Sequence, residues 1–160
     1  MKTVLGRVLV IVVVTVFAIL CVKLWQANRA AQAYRELALT VSSVKAVTLY
    51  DVTATGNFNT NLSYSELSSK TSVSFPLEGF TDAAGSAEYH QWGLWKGASL
   101  AVLTLRDGSQ RRARFSFYGG FFGLEGVPGI YAVKGGQDSE FFKTFESIMQ
   151  QQFFPKRPKT

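Results

Sequence analysis

The chain has very little cysteine and histidine, the residue types that build disulfide scaffolds and soft metal sites. Its 160 residues include one cysteine and one histidine. A single cysteine cannot form a disulfide within the chain, and this composition excludes cysteine-rich and histidine-rich zinc and iron–sulfur centres. We therefore expect a fold held by its hydrophobic core, without a metal or other cofactor.

Charge is also scarce, which limits the class of partner. Charged residues make up 18% of the chain and hydrophobic residues 47%, too apolar a balance for disorder. The net charge is +6, but from Val41 onward twelve Lys and Arg stand against ten Asp and Glu, a net of only +2. The basic residues cluster at Arg111, Arg112 and Arg114 and in the tail from Lys156 to Lys159. These clusters indicate either binding to anionic lipid or an acidic protein, in preference to nucleic acid, or simply a solvated strand face with a solubilising tail.

The most informative segment is an uncharged run of fifteen residues, Val8–Val22. With its apolar flanks it forms a helix about 33 Å long, enough to cross a hydrocarbon core of about 30 Å. Arg7 and Lys23 lie at its two ends, where long side chains reach the headgroups, and Trp25 lies where interfacial aromatics are enriched. Residues 1–25 are therefore predicted to be a transmembrane anchor that contacts the lipid bilayer.

Two processed forms compete with an uncleaved anchor. A cleaved signal peptide would also begin with basic residues, but the small-residue pattern Ala31-Gln32-Ala33 comes about ten residues too late. A lipoprotein would be modified at Cys21, where Leu20 replaces the small residue required before it. We favour an uncleaved anchor with the N-terminus inside, because long C-terminal domains translocate largely regardless of flanking charge. In a bacterial cell this places the domain in the periplasm, tethered to the inner membrane.

Three further segments follow the anchor. Residues 26–40 contain strong helix formers and neither Gly nor Pro, so they predict a helical stalk. The stalk acts either as a spacer or as a partner-binding helix that uses Ala30, Ala33, Tyr34 and Leu37. Residues 41–152 predict an extracytoplasmic α+β domain, and residues 153–160 predict a mobile basic tail.

Within the domain, turn residues and hydrophobic periodicity divide the chain into short elements. The predicted fold is α+β: a small antiparallel β-sheet covered on one face by a C-terminal helix. The predicted elements are a strand at Val44–Val52, a loop at Gly56–Ser63, a strand in Ser72–Leu77 or a short helix at Leu77–Ala84, hairpin strands at Ser99–Arg106 and Arg111–Tyr118, a flexible connection at Gly119–Gly129, a strand at Ile130–Val133, and a helix from Asp138 or Ser139 to Gln152.

The hairpin gives a specific register. Asp107-Gly108 suits a two-residue type I′ turn. That turn pairs Val102 with Ala113 and Leu100 with Phe115, which makes one face apolar and leaves the arginines on the other. A slip of one residue would bring the arginines opposite the apolar set.

Residues that could carry catalysis are few. His90, in the aromatic stretch Tyr89–Trp95, could be a general base, but a hydrogen-bonded surface histidine is the simpler interpretation. Ser42-Ser43-Val44-Lys45 matches S-x-x-K, yet the S-D-N and K-T-G elements of penicillin-binding enzymes are missing. We therefore expect a protein that is not an enzyme.

Aromatic residues near the C-terminus offer a binding surface. Nine of the thirteen Phe follow residue 114, and adjacent Phe residues in a strand point to opposite faces. Either all of them pack in the core, or some form an exposed surface for a partner. The candidate partner-binding residues are Trp92, Trp95, Phe121, Phe122, Arg112 and Arg114.

These features favour a single-pass membrane protein that is a non-catalytic, protein-binding accessory subunit of a membrane or envelope complex. The alternative is an extracytoplasmic domain that binds a small ligand or lipid in an apolar pocket lined by Phe115, Phe117 and the last helix. A hydrolase that uses His90 is a third hypothesis. None of the three involves nucleic acid.

Overall fold

The structure is a computed structural model that describes residues 2–54, 62–91, 98–116 and 118–153. The helices are α1 (Lys2–Ser43), α2 (Tyr64–Leu67), α3 (Leu77–Gly85) and α4 (Glu140–Gln152), with a short 3-10 helix at Gly136–Asp138. The strands are β1 (Val44–Ala54), β2 (Ser72–Phe75), β3 (Glu88–His90), β4 (Ala98–Leu105), β5 (Gln110–Ser116), β6 (Phe121–Leu124) and β7 (Ile130–Ala132).

Helix α1 is 42 residues long and joins the apolar segment to the sheet without a break. After Gly6 it contains neither glycine nor proline, so nothing in its backbone interrupts it. Every side chain from Val10 to Arg29 is exposed. In the part of the chain that the structure describes, α1 is the one helix long and apolar enough to cross a membrane, as predicted.

The seven strands form one antiparallel sheet in the order β2-β1-β4-β5-β6-β7-β3. The predicted α+β class is therefore confirmed. Strand β4 lies inside the sheet and is buried on both faces, because helices cover one side and α2 covers part of the other. Strands β2 and β3 form the two edges.

Aromatic rings fill the core on the face that carries α3, α4 and the end of α1. Phe115 is fully buried at the centre of this core. The centroid of its ring lies 5.3 Å from that of Phe141 and 5.8 Å from that of Phe145. Both partners belong to α4, whose N-cap Ser139 accepts a hydrogen bond from Phe142 N. The predicted C-terminal helix and its covering role are thus confirmed.

The β4–β5 loop is longer by one residue than the sequence suggested. Gly108 N donates to Leu105 O at 3.0 Å, and Leu105 N donates to Ser109 O at 2.9 Å, so three residues form the loop. Gly108 has a φ of +84°, the left-handed conformation that follows a type I turn in three-residue hairpins. The Asp107 carboxylate accepts hydrogen bonds from Ser109 N and Oγ, and these hydrogen bonds lower its pKa.

This loop makes the predicted register wrong by one residue. Leu100 pairs with Arg114 and Val102 with Arg112, in place of the phenylalanine and alanine that were expected. The apolar residues of β4 on this face pack against Leu67 of α2. The other face of β4 and β5, which was predicted to be solvated, belongs to the aromatic core.

Two other segments also differ from expectation. The predicted flexible connection Gly119–Gly129 contains strand β6, because Phe122 pairs with Phe115 on one side and with Tyr131 on the other. The stretch around His90, expected to be a loop, begins with strand β3. By contrast, the two elements predicted as alternatives for residues 72–84 are both present, one after the other. Strand β2 ends at Phe75 and helix α3 begins at Leu77.

Candidate functional site

The end of α1 is part of the domain core. Ala33 is fully buried and Leu37 is 3% exposed. The hydroxyl of Tyr131 lies 3.0 Å from the carbonyl oxygens of both Ala33 and Pro128 and donates to them. At the next position of α1, the hydroxyl of Tyr34 accepts a hydrogen bond from Tyr89 N at 2.8 Å.

The rings of Tyr34, Tyr89 and Tyr131 contact one another edge to face, with centroids 6.1–6.5 Å apart. Burial raises the pKa of Tyr131 above its usual range, so its hydroxyl stays protonated and remains a donor. We call these three residues the tyrosine cluster. The cluster fixes α1 to the edge of the sheet that β3 and β7 form.

This contact excludes a spacer over part of the predicted stalk and limits the partner-binding interpretation to two of its four residues. Because Ala33 and Leu37 are covered by the chain's own domain, the helix is not a spacer over this length. For the same reason these two residues do not face a partner. Tyr34 is 43% exposed and Ala30 partly exposed, so they are the two predicted helix residues still accessible from outside.

A groove of about 580 Å³ lies between α1 and α3. Its walls are mostly apolar, and Arg106 is the one charged side chain among the residues that line it. Concave apolar surfaces of this size are the usual binding sites of proteins. The lining residues used below are Tyr34, Ala38, Val41, Leu77, Ala84 and Arg106.

An exposed stripe on α1 connects this groove with the apolar segment. Positions Ala38, Tyr34, Ala31 and Ala27 follow one another at spacings of four, three and four residues, which places them on one side of a helix. Continuing by seven residues, the stripe reaches Leu20 inside the uncharged run. All five side chains are exposed.

The structure places the predicted aromatic site residues in the interior. Phe122 is fully buried and Phe121 is 9% exposed. Phe122 stacks on Tyr131, with ring centroids 5.5 Å apart. Of the two alternatives for these phenylalanines, packing in the core holds. Trp92 and Trp95 lie outside the described residues, as does Phe117.

The two predicted arginines, Arg112 and Arg114, are also at least partly buried. Arg114 is 7% exposed, and burial lowers its pKa to about 10. Arg112 donates to Leu62 O, and its guanidinium lies 5.1 Å from the ring centre of Tyr64. The one-residue register shift explains this placement, because it turns both side chains toward the Leu67 face. The sequence-based prediction missed this placement of the two arginines because it assigned a two-residue turn where the structure has a three-residue loop.

A second concave feature is a cleft of about 420 Å³ between α1 and β3. Trp25 and Arg29 line it from the helix, and His90 lines it from the strand. The Arg29 guanidinium lies 5.2 Å from the ring centre of Trp25. Lys23 and Trp25 are exposed at the end of the uncharged run, and Arg7 belongs to the same helix.

The surroundings of His90 and of the S-x-x-K match, as far as the structure describes them, do not resemble a catalytic site. Residues that line the cleft beside His90 include neither a Ser or Cys nucleophile nor a carboxylate. Ser42 lies in the last turn of α1 and its hydroxyl donates to Leu39 O, whereas Lys45 lies on β1, so S-x-x-K spans a helix–strand junction. Across the described ranges, no group of three or more His, Cys, Asp and Glu side chains is placed to hold a metal ion.

No family model, curated protein or solved structure matches this chain. Function must therefore be argued from the geometry of the groove and the cleft. The groove offers an apolar surface that continues toward the uncharged segment, and the cleft offers cationic and polar side chains just beyond that segment.

Proposed function

We propose that this chain is a single-pass membrane protein, anchored by α1, whose extracytoplasmic domain binds a partner as a non-catalytic accessory subunit of a membrane complex. The anchor is supported by the exposed apolar segment of α1, since side chains such as Val10 and Leu20 have no protein cover. The groove between α1 and α3 is the observation that carries the binding role.

The occupant that fits the groove is a helix of a partner membrane protein. A second helix crossing the bilayer beside α1 would follow the exposed stripe directly into the groove. Ala31 and Ala38 are small, and small residues let membrane helices approach closely. Arg106 favours a partner with an acidic residue at this position.

Site-specific photo-crosslinking in the native membrane tests this proposal. A photo-reactive phenylalanine derivative replaces Ala38, which lines the groove. The matched control carries the same residue at Leu39, which is 66% exposed and adjacent in sequence, but points about 100° away around the helix. We expect a discrete protein adduct from position 38 and none from position 39.

Other outcomes separate the competing hypotheses. Adducts of equal yield at both positions, or none at either, would contradict partner binding in the groove. Crosslinks from position 38 to lipid alone would favour the alternative, a lipid-binding domain. That alternative would then use this groove and not the pocket expected at Phe115, because Phe115 is sealed among aromatic rings.

A further inference from the structure

We infer that the cleft between α1 and β3 binds the phosphate of an anionic phospholipid headgroup. This inference rests on the proposed membrane anchoring. Among the described residues, the cleft is lined by the guanidinium of Arg29 and by several polar side chains that can donate hydrogen bonds, and none of these lining residues is a carboxylate. The donors are Arg29, His90, Gln26 and Gln91.

The depth of the cleft matches the headgroup layer. Arg29 lies about 6 Å along the helix beyond Trp25, the last residue of the apolar segment that is long enough to span the hydrocarbon core. Helical side chains point back toward the N-terminus, and the Arg29 guanidinium accordingly lies over Trp25, one turn nearer the bilayer. The headgroup layer extends roughly 5–8 Å beyond the hydrocarbon core on each side, so the backbone of Arg29 lies in this layer and its guanidinium lies at the inner boundary, within reach of a headgroup phosphate.

The arrangement of Arg29 suits a phosphate. The Arg29 guanidinium lies 5.2 Å from the ring centre of Trp25, a cation–π contact, and a guanidinium can hydrogen-bond two phosphate oxygens at once. His90 lines the same cleft from a different element, strand β3. Glu88 lies on the same strand two residues away and does not line the cleft. A bound phosphate would therefore bridge the membrane helix and the edge of the sheet.

Lipid enrichment around the full-length protein tests the site. The wild type and three variants are placed in nanodiscs of phosphatidylcholine doped with phosphatidylglycerol, and the retained lipids are counted by native mass spectrometry. We expect Arg29→Gln to lower phosphatidylglycerol retention about fivefold. Arg35→Gln removes the same charge from an exposed position on α1 outside the cleft, so it leaves retention unchanged. His90→Ala lowers retention as well, because the strand supplies part of the site.

The result that would overturn the inference is equally specific. Equal losses in Arg29→Gln and Arg35→Gln would show general surface charge, and full retention in His90→Ala would show that the cleft is not the site. Displacement of the lipid by inorganic phosphate would assign the site to a free anion. Carbonate extraction reports anchoring separately: release of the wild type overturns the proposed function, whereas carbonate resistance without lipid enrichment overturns the headgroup site alone.

Discussion

The hydroxyl of Tyr131 lies 3.0 Å from the carbonyl oxygen of Ala33, across 98 residues of sequence. Tyr131 belongs to β7 and Ala33 to the membrane-proximal helix α1. Both residues are fully buried. This hydrogen bond therefore joins the far end of the sheet to the helix that leads into the apolar segment.

Removing the Tyr131 hydroxyl is expected to weaken the attachment of α1 to the sheet and so lower the stability of the domain. Tyr131→Phe should lower the free energy of unfolding by about 1 kcal/mol, the net worth of a typical hydrogen bond. Urea unfolding of the full-length protein in detergent, followed by near-UV circular dichroism, measures the loss. Equal midpoints for Tyr131→Phe and the wild type would show that the hydrogen bond contributes nothing.

The difference in stability between the wild type and Tyr131→Phe should depend on pH in alkaline solution. The folded state raises the pKa of Tyr131 above the ordinary value of about 10. Its stabilisation is therefore complete below about pH 10 and is lost as the pH rises toward the raised pKa of the folded state. The gap between wild type and Tyr131→Phe should shrink above that pH. A gap that widened there would show that the hydroxyl ionises more easily in the folded protein.

The hairpin loop should depend on its glycine. Gly108→Ala forces a side chain into a φ of +84° and should cost about 1–2 kcal/mol of stability. Gly85→Ala is the control: it lies in α3, an added Cβ meets no atom within 4 Å, and its φ is not positive. That change should be neutral or stabilise by up to about 1 kcal/mol. Urea midpoints of the two variants give the comparison, and equal losses would contradict the three-residue loop.

Phe122 decides between a core and a binding role for the late aromatics. Because its side chain is fully buried, Phe122→Ala should cost about 3–5 kcal/mol and unfold much of the population. Tyr118→Ala, on the exposed side, should stay within about 0.5 kcal/mol of the wild type. A Phe122→Ala protein that kept its urea midpoint but lost the position-38 crosslink would instead support an exposed partner surface.

The anchor can be weakened by one charge. Val14→Arg places an arginine near the middle of the uncharged run, where insertion costs about 2.5–3.5 kcal/mol more. We expect a larger carbonate-soluble fraction, measured by immunoblot of extracted membranes. Gln32→Arg adds the same charge to an exposed site beyond the run and should remain in the pellet. If both variants stayed in the pellet to the same extent, a role for this run in anchoring would be contradicted.

The helices were easier to predict than the sheet register. A long uncharged run and a spaced stripe of phenylalanines are local signals, and both α1 and α4 follow from them. The register depended on one residue of loop length, because Asp107-Gly108 fits a two-residue turn and a three-residue loop equally well. The alternation of apolar and polar residues along β4 could not determine the register either. Because β4 is buried on both faces, Leu100 and Leu103 both lie inside although they point to opposite faces.

The groove could not be predicted because it arises from tertiary packing. Ala33, Leu37 and Thr40 recur at spacings of four and three residues, so a buried stripe was visible in the sequence. What covers that stripe was not visible, because Tyr131 comes 98 residues later. Likewise, α3 reaches α1 only through the folded sheet, so no local pattern places the two walls of the groove side by side.

Helix α1 ends at Ser43 and strand β1 begins at Val44, with no linker between them. The backbone also continues without glycine or proline from Arg7 to that junction. A rotation of the apolar segment about its own axis would therefore turn the whole sheet through the same angle. A change in the tilt of this segment would likewise swing the domain sideways, because helix and sheet have no linker to bend between them.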